Sequence, residues 1–409
     1  MTQTLPLETW TQILEHAGRV PITSPLQNGS HSGLCAVVPP PEDIQANLTT
    51  RLALTLVCRS FHAIVRPMIY EGIYISSLSM AWDLSGVLDD FFTSADGALG
   101  LGPRIWTKYL IFDINDPDPD HYADPLATVH IPTSRILRHC VSILGFGWNV
   151  RIASCPVCYA APCFAFNMIE CIPRGLEFFY SRHAPKSKSF MPLQVLRLNA
   201  DSLRAIEVED DSFVFKFSKP LLRVTHLTIM GPTPRPGSIH PRLLPSLRHL
   251  QVSDDPRPEF FEPFKDMLLS LHFTSGYVIH GDKLGLILQV LPKLEVLGIC
   301  VNFSRWDLSS SLGHTPHLKE LCIRAHDLGR LRSATQIFHD LGSYIRLFSA
   351  DLFPALATIT VSCDFPAVLQ SCTNKDIDWA VQKLAQSLSS PNLRVTIDFV
   401  YAVRPGWQW

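Results

Sequence analysis

The constellation in this chain that comes nearest to a metal site is Cys155-Pro-Val-Cys158, followed by Cys163 and Cys171. Four thiolates can hold zinc in tetrahedral geometry. The spacing of the second pair is not that of a knuckle, and His183 is a conceivable substitute ligand. The neighbours Val157, Tyr159, Phe164, Phe166 and Met168 are apolar. That setting suits cysteines acting as small buried hydrophobes, so no metal and no cofactor are expected. Asp116-Pro-Asp118-Pro-Asp120-His121, with Asp124, offers carboxylates but lacks the glycine and terminal glutamate of a calcium loop. Its prolines point to a solvated loop. The 16 histidines include no His-Glu-x-x-His, and the chain has no phosphate loop and no nucleophile elbow. Gly97-Ala-Leu-Gly100-Leu-Gly102 falls short of a dinucleotide fingerprint. Nothing assembles a nucleophile, a base and a group to orient it, so a non-enzyme is expected.

Composition narrows the classes further. The 409 residues are 46% apolar and only 18% charged, with a net charge of −2. Such a chain can bury a large core. Without a basic excess, binding to nucleic acid through phosphate neutralisation is not expected. The 11 cysteines are scattered and odd in number, which fits free thiols in a reducing compartment. Met1 to Trp10 has no basic region and no apolar core of signal-peptide length, and no apolar run reaches the ~18 residues of a membrane helix. A cytoplasmic or nuclear protein without a membrane partner is expected. The 32 prolines argue against long helical bundles.

The N-terminal region reads as three short helices. Trp10, Ile13, Leu14 and Ala17 share one helical face, with Pro6 at its first turn and Glu8 near its positive end. Residues 18–45 break the pattern with Gly18, Pro21, Pro25, Gly29, Gly33 and Pro39-Pro40-Pro41. Helicity returns from about Ala46 to Cys58, with Leu48, Leu52, Leu56 and Val57 on one side. Phe61, Ile64, Val65 and Met68 mark a third helix, whose end Pro67 should distort.

Leu5-Pro6-Leu7-Glu8, Ile13-Leu14, and then Leu54-x-Leu56-Val57-Cys58-Arg59-x-Phe61 and Met68-Ile69-Tyr70-Glu71 resemble an F-box. The resemblance covers residues 4–71 and departs from the family at the long insertion of about 18–45. It implies docking on the Skp-type adaptor, and through it on the cullin scaffold, of a ubiquitin ligase. By the same resemblance Leu5, Pro6, Ile13, Leu14, Val57 and Cys58 are the adaptor-binding candidates. Phe61, Ile64 and Val65 are expected as the module's internal core. The alternative is a helical cap on the open end of a larger domain.

Residues 72–409 carry a repeat, Pro-x-Leu-x-x-Leu-x-Leu. Copies end at Leu198, Ile229, Val252, Ile299, Ile323 and Val361, with weaker ones at Leu269–Phe273 and Pro391–Ile397. The last two apolar positions alternate, as in a strand with one buried face. The pattern resembles the strand segment of leucine-rich repeats. That family commonly has Asn or Cys three residues on, and here only Asn302 matches, the others being Asp201, Pro232, Asp255, His326 and Asp364. Helical spacing intervenes at Leu284–Leu291, Ile337–Phe348, Ile377–Leu388, Met80–Phe91 and Ser134–Leu144, and strands are expected at Ile73–Ile75 and Lys108–Phe112.

The expected architecture is therefore α/β. A three-helix module (1–71) precedes an irregular leucine-rich-repeat-like solenoid with a curved parallel sheet (72–409). The expected role is the substrate receptor of a cullin–RING ubiquitin ligase, holding an unidentified protein substrate. The solvent-facing strand positions Arg197, Thr228, Gln251, Gly298, Cys322 and Thr360 are its candidate surface. The runner-up is a repeat protein with no ubiquitin-ligase role. An enzyme using the Cys155 cluster or a histidine site is a third alternative.

Overall fold

A computed structural model describes residues 6–18, 41–93, 106–116, 125–152, 170–181, 190–208, 219–231, 239–253, 256–273, 281–302, 315–326, 348, 352–364 and 394–399. The chain forms two compact units. The first comprises Met1–Gly29 and Cys35–Val224, the second Ser30–Leu34 and Thr225–Trp409. The boundary expected at residue 71 runs inside the first unit. No helix among the described residues is long and apolar enough to cross a membrane.

The first unit opens on α1 (Leu7–Gly18), α2 (Pro41–Thr55) and α3 (Arg59–Ile69). Pro41 takes the first turn of α2, where a missing N–H costs nothing, so this helix begins inside the expected insertion. Cys58 caps α3: its Sγ accepts the Phe61 N–H at 3.4 Å. Pro67 lies in the last turn without ending the helix early. Strands β1 (Gly72–Ile75), β2 (Tyr109–Asp116), β3 (Gly145–Ile152), β4 (Phe178–Ser181) and β5 (Ala205–Val208) follow, each parallel to the one before. Between them run α4 (Leu78–Thr93), α5 (Pro125–His139) and α6 (Phe190–Leu198). The helix expected at Ser134–Leu144 is α5, which starts earlier and carries Pro132 internally.

The second unit holds β6 (His226–Ile229), β7 (His249–Val252), β8 (Ser270–Phe273), β9 (Val296–Asn302), β10 (Glu320–His326), β11 (Thr358–Asp364) and β12 (Arg394–Phe399). From β7 onward each strand is again parallel to the preceding one. Helix α7 (Gly281–Val290) connects β8 to β9 and buries Leu284, Ile287 and Leu288. Between β7 and β8 two short 3₁₀ turns bury Phe260, Phe261 and Phe264 instead of a helix. The helices expected at Ile337–Phe348 and Ile377–Leu388 lie outside the described residues, apart from Phe348, which is buried.

One backbone device recurs at every described strand entrance within each unit. The Glu71 carbonyl accepts two successive N–H groups, from Lys108 and Tyr109, at 2.8 and 3.0 Å. The Lys108 carbonyl does the same for Leu144 and Gly145, Leu144 for Glu177 and Phe178, and Glu177 for Arg204 and Ala205. In the second unit the carbonyls of Thr225, Arg248, Leu269, Glu295 and Lys319 play this part. A carbonyl oxygen has two lone pairs, so one residue per strand fixes the start of the next. At most entrances the residue just before it, such as Leu247, Leu268, Leu294 or Leu318, is a fully buried apolar one; before Glu71 it is the half-buried Tyr70 and before Lys108 the buried Thr107. The apolar side chain sets the depth of the chain and the following carbonyl sets its register.

The copy at Pro192–Leu198 is not a strand. It is α6, and β5 lies further on. Leu193 and Leu196 are three apart, a spacing that a helix also satisfies. Arg197 is therefore an exposed helical residue rather than a strand position. The turn after α6 is held by buried Asn199, whose Oδ1 accepts the Leu176 N–H at 3.0 Å and whose Nδ2 donates to the Val195 carbonyl at 3.1 Å.

Arg51 joins the helices to the sheet. Its side chain is 2% exposed; its guanidinium donates to the Met68 carbonyl and, at 3.4 Å, to the Glu71 carboxylate. Burial lowers its pKa, while Glu71 works in the opposite direction. Glu71, 43% exposed, also supplies the first entrance carbonyl. The pair is asymmetric, so its two halves should not cost the same. Arg51→Met leaves Glu71 hydrated and should cost ~1 kcal/mol or less, whereas Glu71→Ala strands a buried cation and should cost about 2–4 kcal/mol by denaturant unfolding.

Candidate functional site

Two surfaces collect the candidate residues. The first is the outer face of α1–α3. Trp10 packs on Phe61 with ring centroids 5.1 Å apart, and Leu14 and Val65 are fully buried. These contacts use up the apolar stripe that joins the helices. What remains outside is also apolar: Ile13, Leu52, Leu56 (87% exposed) and Val57 (62%). Leu56 and Val57 sit in the turn between α2 and α3. Pro6 and Cys58 are exposed as well. Of the expected adaptor-binding residues, Leu14 belongs instead to the core, because its position on α1 faces the other helices. Leu5 lies outside the described residues. Leu52 and Leu56 join the surface set; they were legible only as apolar positions of a helix, and burial decides which way they face.

The second surface is the sheet face of the second unit. Thr228, Gln251, Gly298, Cys322 and Thr360 occupy one register row, which also contains His272 on β8 and Thr396 on β12. The spacing therefore places the expected strand positions side by side. Their solvent exposure is different from that expected: Thr228 and Gly298 are buried, and Gln251, Cys322 and Thr360 are half-buried. The physical cause is crowding across strands ~4.8 Å apart. The His272 ring lies over Gly298, where a Cβ would overlap its Nδ1 and stand 2.8 Å from its Cγ. His226 and His249 stack with centroids 4.1 Å apart, and the Thr225 hydroxyl is 2.8 Å from His226 Nδ1.

The first unit packs its corresponding face in the same way. Tyr109 and Phe178 close over Gly145, and Ile111 and Tyr180 over Gly147 at 3.0 Å from where a Cβ would stand. Rings fill slots that glycine leaves on the neighbouring strand at β3 and β9, and β4, β5, β6 and β8 are buried along both faces. Above the rings, Tyr74 Oη donates to Asp113 Oδ2 at 2.5 Å, and Asn149 Nδ2 donates to Asp113 Oδ1.

Two of the described cysteines, Cys140 and Cys300, are buried, whereas Cys58 is exposed. Burial lifts the thiols of Cys140 and Cys300 to about 11, far from thiolate reactivity. Cys300 Sγ donates to the Phe273 carbonyl at 3.2 Å. It thus serves the neighbouring strand's backbone, the service sought at Asn302. Cys155, Cys158, Cys163 and His183 lie outside the described residues, as do Asp118, Asp120, His121 and Asp124; Cys171 is half-buried and unbridged. Among the described residues no three metal-binding side chains come together.

His272 lets the sheet packing be tested. Gly298→Val should cost about 1–3 kcal/mol by forcing the ring out, and His272→Ala should relieve part of that loss in the double variant. Desolvation, then His249, lowers the His272 pKa from 6.5 to about 4. The unfolded chain therefore takes up this proton before the folded one does. Its contribution is complete above about pH 6.5 and declines toward pH 4, by roughly 3 kcal/mol. Denaturant titrations across that window should show a slope that His272→Gln reduces. No protein-family model matches the chain, and no curated protein matches it.

Proposed function

We propose that the chain is a non-enzymatic substrate receptor of an SCF-type cullin–RING ubiquitin ligase. In this reading α1–α3 dock on the Skp-type adaptor and the parallel strands hold a protein substrate. The observation that carries it is the exposed apolar set Ile13, Leu52, Leu56 and Val57 on three packed helices preceding the strands. Large apolar side chains left outside a small helical module are a costly surface unless a partner covers them. The leucine-rich-repeat-like reading of the remainder draws support from the sequential parallel strands and their repeated entrance carbonyls.

A second reading is an interaction protein whose helices cap the first strand. Arg51 favours it, because it ties α2 to Glu71 at the start of the ladder. Co-expression with a Skp-type adaptor separates the two. The wild-type chain should retain the adaptor on purification. Ile13→Asp and Val57→Asp should each weaken binding by at least about 30-fold, as expected for loss of an apolar anchor. No retention by the wild type, or equal retention by both variants, would leave the capping role.

A further inference from the structure

We propose that the strip of β10 and β11 bearing Glu320, Cys322, Arg324, Thr358 and Thr360 holds an extended substrate segment through two opposite charges, an acidic side chain on Arg324 and a basic one on Glu320. The proposal deepens the substrate-receptor reading and rests on it for the partner's being a protein. Its place follows from where the sheet face stays open. Strands β6 and β8 are buried at every residue, and on β9 Val296, Gly298 and Cys300 are buried. One register step further the burial ends. Glu320, Cys322 and Arg324 stand opposite those three residues and are half-buried, as are Thr358 and Thr360 beyond them on β11. A partner can reach side chains here that β6, β8 and β9 keep from it.

Charge supplies the independent observation. Leu321 and Ile323 are buried, so strand alternation sends Glu320, Cys322 and Arg324 to the other face. The Glu320 carboxylate accepts from the Cys322 thiol at 3.6 Å. Among the described residues neither Glu320 nor Arg324 has an ion-pair partner. Cys300, beside Arg324, is a buried neutral thiol that donates to the Phe273 carbonyl, so it offers no counter-charge. Four residues of strand hold the two charges about 13 Å apart, and they do not pair. A half-buried charge has lost part of its water, so an opposite charge attracts it more strongly than it would a fully exposed one. The guanidinium fork of Arg324 matches a carboxylate, and the Glu320 oxygens match an ammonium or a guanidinium. An extended segment sets its residues i and i+4 on one face at the same separation of about 13 Å. A substrate with an acid and a base four residues apart answers both charges at once, with its middle residue against Cys322.

The test uses the full chain and blocked five-residue peptides as probes. Asp-Val-Thr-Val-Lys should bind saturably in the millimolar range, at least about tenfold more tightly than the neutral Asn-Val-Thr-Val-Gln. Arg324→Glu should turn the preference to Lys-Val-Thr-Val-Lys, and Glu320→Lys should turn it to Asp-Val-Thr-Val-Asp, each by about tenfold. Either variant alone suffices should the other fail to fold. Equal binding of the charged and neutral peptides by the wild type, or an unchanged preference in a folded variant, would overturn the proposal. Adaptor retention is read separately on the wild-type protein. A chain that keeps the adaptor but shows no peptide preference loses this strip alone, and one that shows the preference without the adaptor loses the receptor reading alone.

Discussion

The structure depends on a single carbonyl oxygen per strand. At each described entrance that oxygen accepts two consecutive N–H groups from the next strand, so the chain cannot start a strand early or late. A parallel ladder gives no tight hairpin to set register, and a slip by one residue would move every side chain to the other face. At most entrances a buried side chain immediately before the carbonyl holds it at the right depth. Exposed ion pairs between successive entrance residues, Glu177–Arg204 and Glu295–Lys319, run beside this seam and add little by comparison.

Fixed register makes the packing of the second face possible. Rings on one strand need empty space on the next at the same level, and glycine provides it at 145, 147 and 298. A one-residue shift would set each ring against a side chain. The outcome is a parallel arrangement whose strands are buried on both sides over much of their length, as parallel sheets require. Several polar groups on that face are held by neighbours on the next strand. Asp113, Tyr74 and Asn149 are one such group, and the stacked histidines are another.

Much of this was legible in the sequence, for identifiable reasons. Leucine or valine at fixed spacing marks β6, β7, β9 and β10, because Val224, Leu247, Leu294 and Leu318 stand before the carbonyl residue, and Leu356 holds the same place ahead of β11. The strands β3, β4 and β5 use the same pattern with other residues: Ile143-x-x-Phe146, Leu176-x-x-Phe179 and Leu203-x-x-Ile206. A search tied to proline and leucine passes over them. The same search accepts Leu193-x-x-Leu196, which is helical. Local spacing cannot distinguish the two, since only long-range pairing makes a strand. His272 escaped notice because its ring owes its position to Gly298, 26 residues further along. Leu14 and Ile13 are adjacent and equally apolar, and only the packing of α3 against α1 decides that one is core and the other surface.

The helical module and the strands have different tasks, and the junction between them is polar. Arg51 and Glu71 fix the module to the first entrance carbonyl without using its outer apolar residues. The most direct measurement is amide hydrogen exchange of the full chain with and without a Skp-type adaptor. Added protection confined to Trp10–Leu14 and Leu52–Cys58 is the expected result. Unchanged exchange in those segments, with protection appearing on the strands instead, would contradict adaptor docking through the helices.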